Sequence, residues 1–340
     1  MGKFKIRGEK MEKIIKEENP FGYKPVGKLL ASMAIPAVVA NLVNALYNIV
    51  DQIFIGQGVG YLGNAATNIA FPITTICLAI GLMMGIGSAA NFNLELGRKN
   101  IDRAREVAGT AAGTLVIIGI LLWITILIFL KPMMISFGAT EKILDYAIEY
   151  TGITSFGVPF LLFSIGANPL VRADGSPKYS MMAIVVGAIL NTVLDPVFMF
   201  VFNMGIAGAA WATVISEIVS ALLLAYYFTR FKTVKFQMKD FIPKWRFVKV
   251  IVSLGIASFI FQFSTTIIQI TTNNLLKTYG SASVYGSDIP IAVAGIVAKN
   301  KYFIIKSVIF LHTLRLAIWK LMKTITHYRL MIMQKMNVKI

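Results

Sequence analysis

The sequence predicts an all-α integral membrane protein, a polytopic helical bundle, on three observations. Apolar types make up 56% of the 340 residues and charged types only 14%, far from the roughly 25% charge of a soluble domain. Runs of about 20 apolar residues, the length a helix needs to cross a bilayer core, recur along most of the chain. The basic residues gather in alternate breaks between those runs. Period-2 alternation of the β-barrel kind is missing, so helices do the spanning. A single cysteine, Cys77, excludes an internal disulfide framework and a cysteine zinc site. Cys77 and the sixteen methionines read as packing.

Taken in order, residues 1–28 carry eight Lys/Arg and four Glu without an apolar run. They read as a charged cytoplasmic leader and not as a cleavable signal peptide. Spans follow at about 29–55, 65–92, 106–130, 146–170, 179–202, 206–229 and 248–276, with an eighth begun near 289. Breaks such as Gly56-Gln57-Gly58, Asp174-Gly175-Ser176-Pro177 and Asn203-Met204-Gly205 punctuate them. The amino-terminal leader and the breaks at 93–105, 171–178 and 230–249 hold 21 Lys/Arg, whereas the opposite breaks hold only Lys131, Lys142 and Lys277. The positive-inside rule then puts the amino terminus in the cytoplasm of a multi-pass protein of the cell membrane. This sidedness, rather than one basic face, accounts for the excess charge, so no nucleic-acid partner is expected.

Acidic residues inside the hydrocarbon are costly unless they face a cavity or a partner. Three inside the spans stand out as candidates: Asp51, Asp195 and Glu217. Asp51 ends a stripe of Asn41, Asn44, Asn48 and Asp51 whose spacings of 3, 4 and 3 put all four on one face. Tyr47 flanks it. The stripe either lines a water-filled cavity or ties helices together, and four polar side chains in three turns favour the cavity. Pro36, above it, leaves a carbonyl unpaired and allows a bend. Asn191 and Asp195 stack at a spacing of four, directly before Pro196. They could cage sodium, hold a proton-carrying acid, or simply sit at the wet outer end of the span. Thr213, Ser216, Glu217 and Ser220 share a face, as do Ser164 and Asn168, while Arg172 is expected to snorkel to the cytoplasm. With no Walker loop, His cluster or nucleophilic triad, neither an enzyme nor a cofactor is expected, and no structural metal.

Residues 30–52 and 251–273 match weakly at a spacing of 221, consistent with an internal repeat of six helices, a hallmark of secondary transporters. Three stretches carry a more specific likeness: MAIPAVVANLVNALYNIVDQIFIGQG, ELGRKNIDRARE, and the run from LVRADGSPKYS through LNTVLDPVFMF to GIAGAAWATVISE. In order and spacing, from about Gly27 to Lys299, the chain resembles the multidrug and toxic compound extrusion (MATE) family, bacterial branch. The resemblance implies two six-helix lobes around a cleft, with sodium or proton entry driving export of small amphipathic, often cationic compounds. It implies that Asp51, Asn191, Asp195 and Thr213 bind the coupling cation, with Asn168 beside them. Asn44, Tyr47, Asn48 and Glu217 would line the substrate cavity, and Pro36 would mark the helix bend. Beyond the bilayer, no obligate protein partner is expected.

The expected organisation is a leader at 1–28, a six-helix lobe at 29–229, a basic cytoplasmic linker at 230–249 and the start of a second lobe at 250–300. Residues 301–340 break the pattern, with eight Lys/Arg, both histidines, and no Asp, Glu, Gly or Pro. They read as an out-of-frame tail, or as a basic membrane-surface helix. A chain truncated in this way is expected not to export. Two rival readings are a flippase for lipid-linked oligosaccharides, which the acids Asp51, Asp195 and Glu217 disfavour, and a non-transporting membrane fragment.

Overall fold

The computed structural model describes residues 26–297; the leader up to residue 25 and the tail at 301–340 lie outside them. Two compact units divide the chain. The larger is Ala40–Phe303. The smaller joins Met1–Val39 to Ile304–Ile340, and of it only residues 26–39, the opening turns of a helix that runs through Pro36, are described.

The described residues form helices and connecting turns, with no strand among them. In chain order these are α1 (Val26–Gly58), α2 (Tyr61–Gly97), α3 (Ile101–Ser136), α4 (Glu141–Ser155), α5 (Val158–Ala173), α6 (Pro177–Pro196), α7 (Gly205–Phe228), α8 (Trp245–Gly280) and the short α9 (Asp288–Val297). Six are long and apolar enough to cross a membrane, seven if α4 and α5 count as one bent span. Large apolar side chains such as Ile128, Val193 and Phe261 stand exposed on the outside, where lipid would cover them. The interior is packed with small ones, among them Ala65, Ala66, Ala108, Ala111 and Ala183, as expected where close backbone approach drives helix association.

Two spans are not straight rods. The fourth bends by 58° between Ser155 and Val158. Pro159 has no N–H to give the Ser155 carbonyl, and the turn closes with tighter bonds from Phe156 N–H to Ile153 (3.1 Å) and from Gly157 N–H to Thr154 (2.9 Å). The fifth ends in a π-helical turn, Val197–Val201, immediately after Asp195-Pro196. A widened turn of this kind is rare and recurs at functional sites.

α8 begins at Trp245, four residues before the expected end of the linker at 249, and runs antiparallel along α2. Three contacts fix the register. Asn68 Nδ2 donates to Asn273 Oδ1 (3.1 Å), Thr266 Oγ1 to Thr75 Oγ1 (2.8 Å), and Gly87 crosses Gly255 so tightly that a Cβ on either would strike the other helix's carbonyl, at Ile251 or Met83. Asn68 Nδ2 also donates to the Ile291 carbonyl (2.9 Å), tying α9 to the same helix. Gly255→Val should therefore lower the unfolding free energy by about 2–3 kcal/mol, because the crossing has backbone on both sides and cannot yield. Thermal unfolding in detergent checks this, with Ser253→Val, on another face of the same helix, as a control that should change little.

The expected linker at 230–249 is folded. The Asp174 carboxylate accepts from Lys232 N–H (2.8 Å), Thr233 N–H (3.0 Å), Thr233 Oγ1 and Tyr227 Oη (2.7 Å). Asp240 pairs with Arg105 (3.1 Å), while Lys244 and Arg246 both reach Glu106 (2.6 and 2.7 Å). Phe228, Phe231, Phe236 and Phe241 pack against one another beside these bonds.

Candidate functional site

The helical spacing that put polar residues on common faces converges on one cavity inside the larger unit. α1 contributes Asn41, Asn44 and Tyr47. α5 contributes Ser164, Asn168 and Arg172, α6 Gly187 and Asn191, and α7 Thr213, Ser216, Glu217 and Ser220. Leu78 and Leu82 of α2 close one side. The cavity encloses about 300 Å³, at the lower end of the range for ligand pockets.

Beside this cavity lies a buried cluster of oxygen atoms. Asn191 Nδ2 donates to Asp195 Oδ1 and to Thr213 Oγ1, both at 3.3 Å, which draws α6 and α7 together. Asp195 is fully buried, and both its Oδ2 and the Asn191 Oδ1 have no hydrogen-bond partner among the described residues. Across from them, Gln52 Nε2 donates to Asp51 Oδ2 (3.2 Å) and to Thr67 Oγ1 (3.2 Å). Asp51 and Asp195 are near enough for their charges to interact, and Tyr47 lies within electrostatic reach of Asp51, Asp195 and Glu217. Buried acceptors without donors are uncommon in folded chains and call for a cation, a proton or a water. Among the described residues no group of three or more His, Cys, Asp or Glu could hold a metal ion. The oxygens present, two carboxylates with amide and hydroxyl groups, are hard ligands that suit sodium or a proton.

Not every expected residue sits in one place. Asn191 and Thr213 belong to both the cluster and the cavity wall, whereas Asp51 and Asp195 stand behind the wall. Asn48 does not line the cavity; its amide turns back along α1 to Asn44, donating to the backbone oxygen (2.7 Å) and to Oδ1 (3.0 Å). Asn168 lines the cavity but is tethered, giving to the Ser164 carbonyl (2.8 Å) and accepting from Ser180. Arg172, expected at the cytoplasmic surface, lines the cavity instead. Its position one turn beyond Asn168 on the same face was the signal for this. Gln52 and Thr67 were missed, since neither is charged and each finds its partner on another helix.

The family model MatE matches residues 36–197. The multidrug export protein MepA of Staphylococcus haemolyticus is 24% identical over 277 residues, covering 79% of this chain and 60% of that protein. MepA of Staphylococcus aureus (strain NCTC 8325 / PS 47) is 24% identical over 265 residues, covering 78% and 59%. The chain thus spans about 60% of the length of the curated relatives it matches. Among solved structures, the MATE multidrug transporter DinF-BH superposes with a TM-score of 0.76 at 33% identity, over 83% of this chain and 62% of that one. An inward-facing multidrug resistance MATE family transporter of the MOP superfamily gives 0.67 at 27% identity, over 77% and 60%. The family match takes in α1 from Pro36 onward and α2 to α6, including Asp51, Asn168, Asn191 and Asp195, and over most of its length the chain is similar to MATE family membrane transporters.

Proposed function

We propose that this chain is the cation-responsive lobe of a secondary exporter for small amphipathic, often cationic compounds. It would lie in the cell membrane with its amino terminus in the cytoplasm, and entry of sodium or a proton would drive export. The observation that carries the reading is the pair of buried, partnerless oxygens on Asn191 and Asp195, set directly behind a cavity that contains the Glu217 carboxylate. A cation arriving at Asp195, with Asp51 close by, changes the charge behind the cavity wall. Asn191 and Thr213 share that wall, so occupancy of the cluster reshapes the cavity and weakens the hold on a cationic ligand. Two ligands that oppose each other at adjacent sites are thermodynamically linked, and each lowers the other's affinity by the same factor.

The test uses the purified chain in phosphatidylcholine nanodiscs, with ethidium binding followed by fluorescence anisotropy. Ethidium affinity should fall about tenfold or more either on adding sodium or on lowering the pH from about 8 to about 6, according to which cation couples. A chain that binds ethidium with no response to either cation excludes coupling through this lobe. A chain that binds none is a non-transporting fragment.

A further inference from the structure

The segment between α7 and α8 has two faces. Its inner face is held by Asp174, Arg105 and Glu106. Within it a 3-10 turn, Met238–Phe241, is fixed by a bond from Gln237 N–H to Asp240 Oδ2 (2.7 Å). This turn lies directly on α3. Gly109 and Gly113 permit the approach, because a Cβ on either would strike the carbonyl of Asp240 or of Phe241. The crossing also sets a depth. On α3 no charged residue stands between Glu106 and Lys131, so the turn rests where that helix enters the hydrocarbon.

At this depth the outer face is apolar and basic together. Met238, Ile242 and Trp245 are 86%, 64% and 69% exposed. Lys235, Lys239 and Lys249 are exposed as well, and none of them forms an ion pair with a described residue. The Lys249 ammonium lies 5.6 Å from the centre of the Trp245 ring. The one acid between 230 and 249, Asp240, is buried and paired with Arg105, so nothing in the segment offsets the three ammonium groups. Apolar side chains beside unpaired lysines at headgroup level match a negatively charged lipid, which offers acyl chains to the first and phosphate to the second. A soluble anion would answer the lysines and leave the apolar side chains in water. We infer that residues 235–249 form a docking site for an anionic phospholipid of the cytoplasmic leaflet. Lys235, Lys239 and Lys249 hold its phosphate, and Met238, Ile242 and Trp245 lie against its glycerol and upper acyl chains. The site shares no residue with the cavity or the oxygen cluster, so it stands apart from the proposed transport.

Native mass spectrometry of the full chain tests this, with release from micelles holding equal amounts of phosphatidylglycerol and phosphatidylcholine. Phosphatidylglycerol should be retained about tenfold or more over phosphatidylcholine, since each lysine near an anionic headgroup is worth about fivefold. Lys235→Gln, Lys239→Gln and Lys249→Gln together should bring that ratio close to one. Lys99→Gln, Arg103→Gln and Lys178→Gln remove the same charge from other exposed positions on the same side and should leave the ratio unchanged. Met238→Ser with Ile242→Ser should lower phosphatidylglycerol retention although every lysine remains. Unchanged thermal unfolding in phosphatidylcholine micelles shows that each variant is folded. Equal retention of the two lipids by the unaltered chain overturns the inference, and so does a ratio that survives loss of the three lysines. A ratio that falls as far in the control triple reduces the preference to overall charge sidedness and overturns it as well. Retention indifferent to the serine pair, or lipid displaced by excess glycerol 3-phosphate, would mean a site for bare phosphate and would overturn the lipid assignment.

Discussion

Replacing Asp195 by Asn should make the chain more stable and, at the same time, unresponsive to cations. Asp195 is fully buried and one of its oxygens has no partner among the described residues, a state that costs about 1–3 kcal/mol for a polar group and more for a charge. The substituted amide keeps an oxygen for Asn191 Nδ2 and supplies N–H groups that can reach the partnerless Asn191 Oδ1. It also removes one of two interacting carboxylates. Thermal unfolding in nanodiscs should therefore shift upward, by an amount corresponding to about 1–3 kcal/mol. The sodium or pH dependence of both melting and ethidium binding should vanish. A variant that keeps the cation response of the unaltered chain would show that the response arises elsewhere, and a variant that melts lower would show that Asp195 is a structural anchor. Stability gained where function is lost is the usual sign of a site that holds unfavourable groups for a purpose.

Asp174→Ala should have the largest effect of the opposite sign. Its carboxylate gathers four donors from three residues and is nearly buried. Removing it strands two backbone N–H groups, the Tyr227 hydroxyl and the Thr233 hydroxyl in a tight aromatic setting. A loss of about 3–5 kcal/mol follows, as for other buried charged networks that lose one member. Trypsin should then cut after Lys232 and Lys235 well before the helices unfold. Asp174→Asn should recover only part of the loss, because its amide nitrogen must face a donor wherever it points. Unchanged melting and unchanged cleavage would mean that the aromatic cluster alone holds this segment.

The spans were legible because length and apolarity are properties of each helix by itself. The bend at Gly157-Val158-Pro159 and the π-helical turn after Pro196 were not read. An apolar run averages straight through them, although in each case a proline marked the place. Faces were legible for the same reason as spans: spacings of three and four along α1, α6 and α7 already grouped Asn41 with Asn44, Asn191 with Asp195, and Thr213 with Glu217, although Asn48 and Asp51 of the same α1 stripe do not line the cavity. What one helix cannot reveal is its partner. The Asn68–Asn273 contact, the Gly87–Gly255 crossing and the Asp174 network each join residues far apart in sequence, and no spacing within one helix names the partner. Arg172 shows the limit differently: a basic residue near a helix end fits both the cytoplasmic surface and a cavity floor, and only packing decides.

The anchoring of residues 230–246 has a mechanical consequence. Thr233 is bound to Asp174, Asp240 to Arg105, and Lys244 and Arg246 to Glu106, so only six residues run between the first two anchors. Such a segment has no slack. It acts as a strut rather than a tether, and load applied to α8 passes through it to the first turns of α3 and to the α5–α6 corner. A shift of α8 along the membrane must then either carry those ends with it or break ion pairs one after another, so the segment sets a threshold force below which α8 stays put.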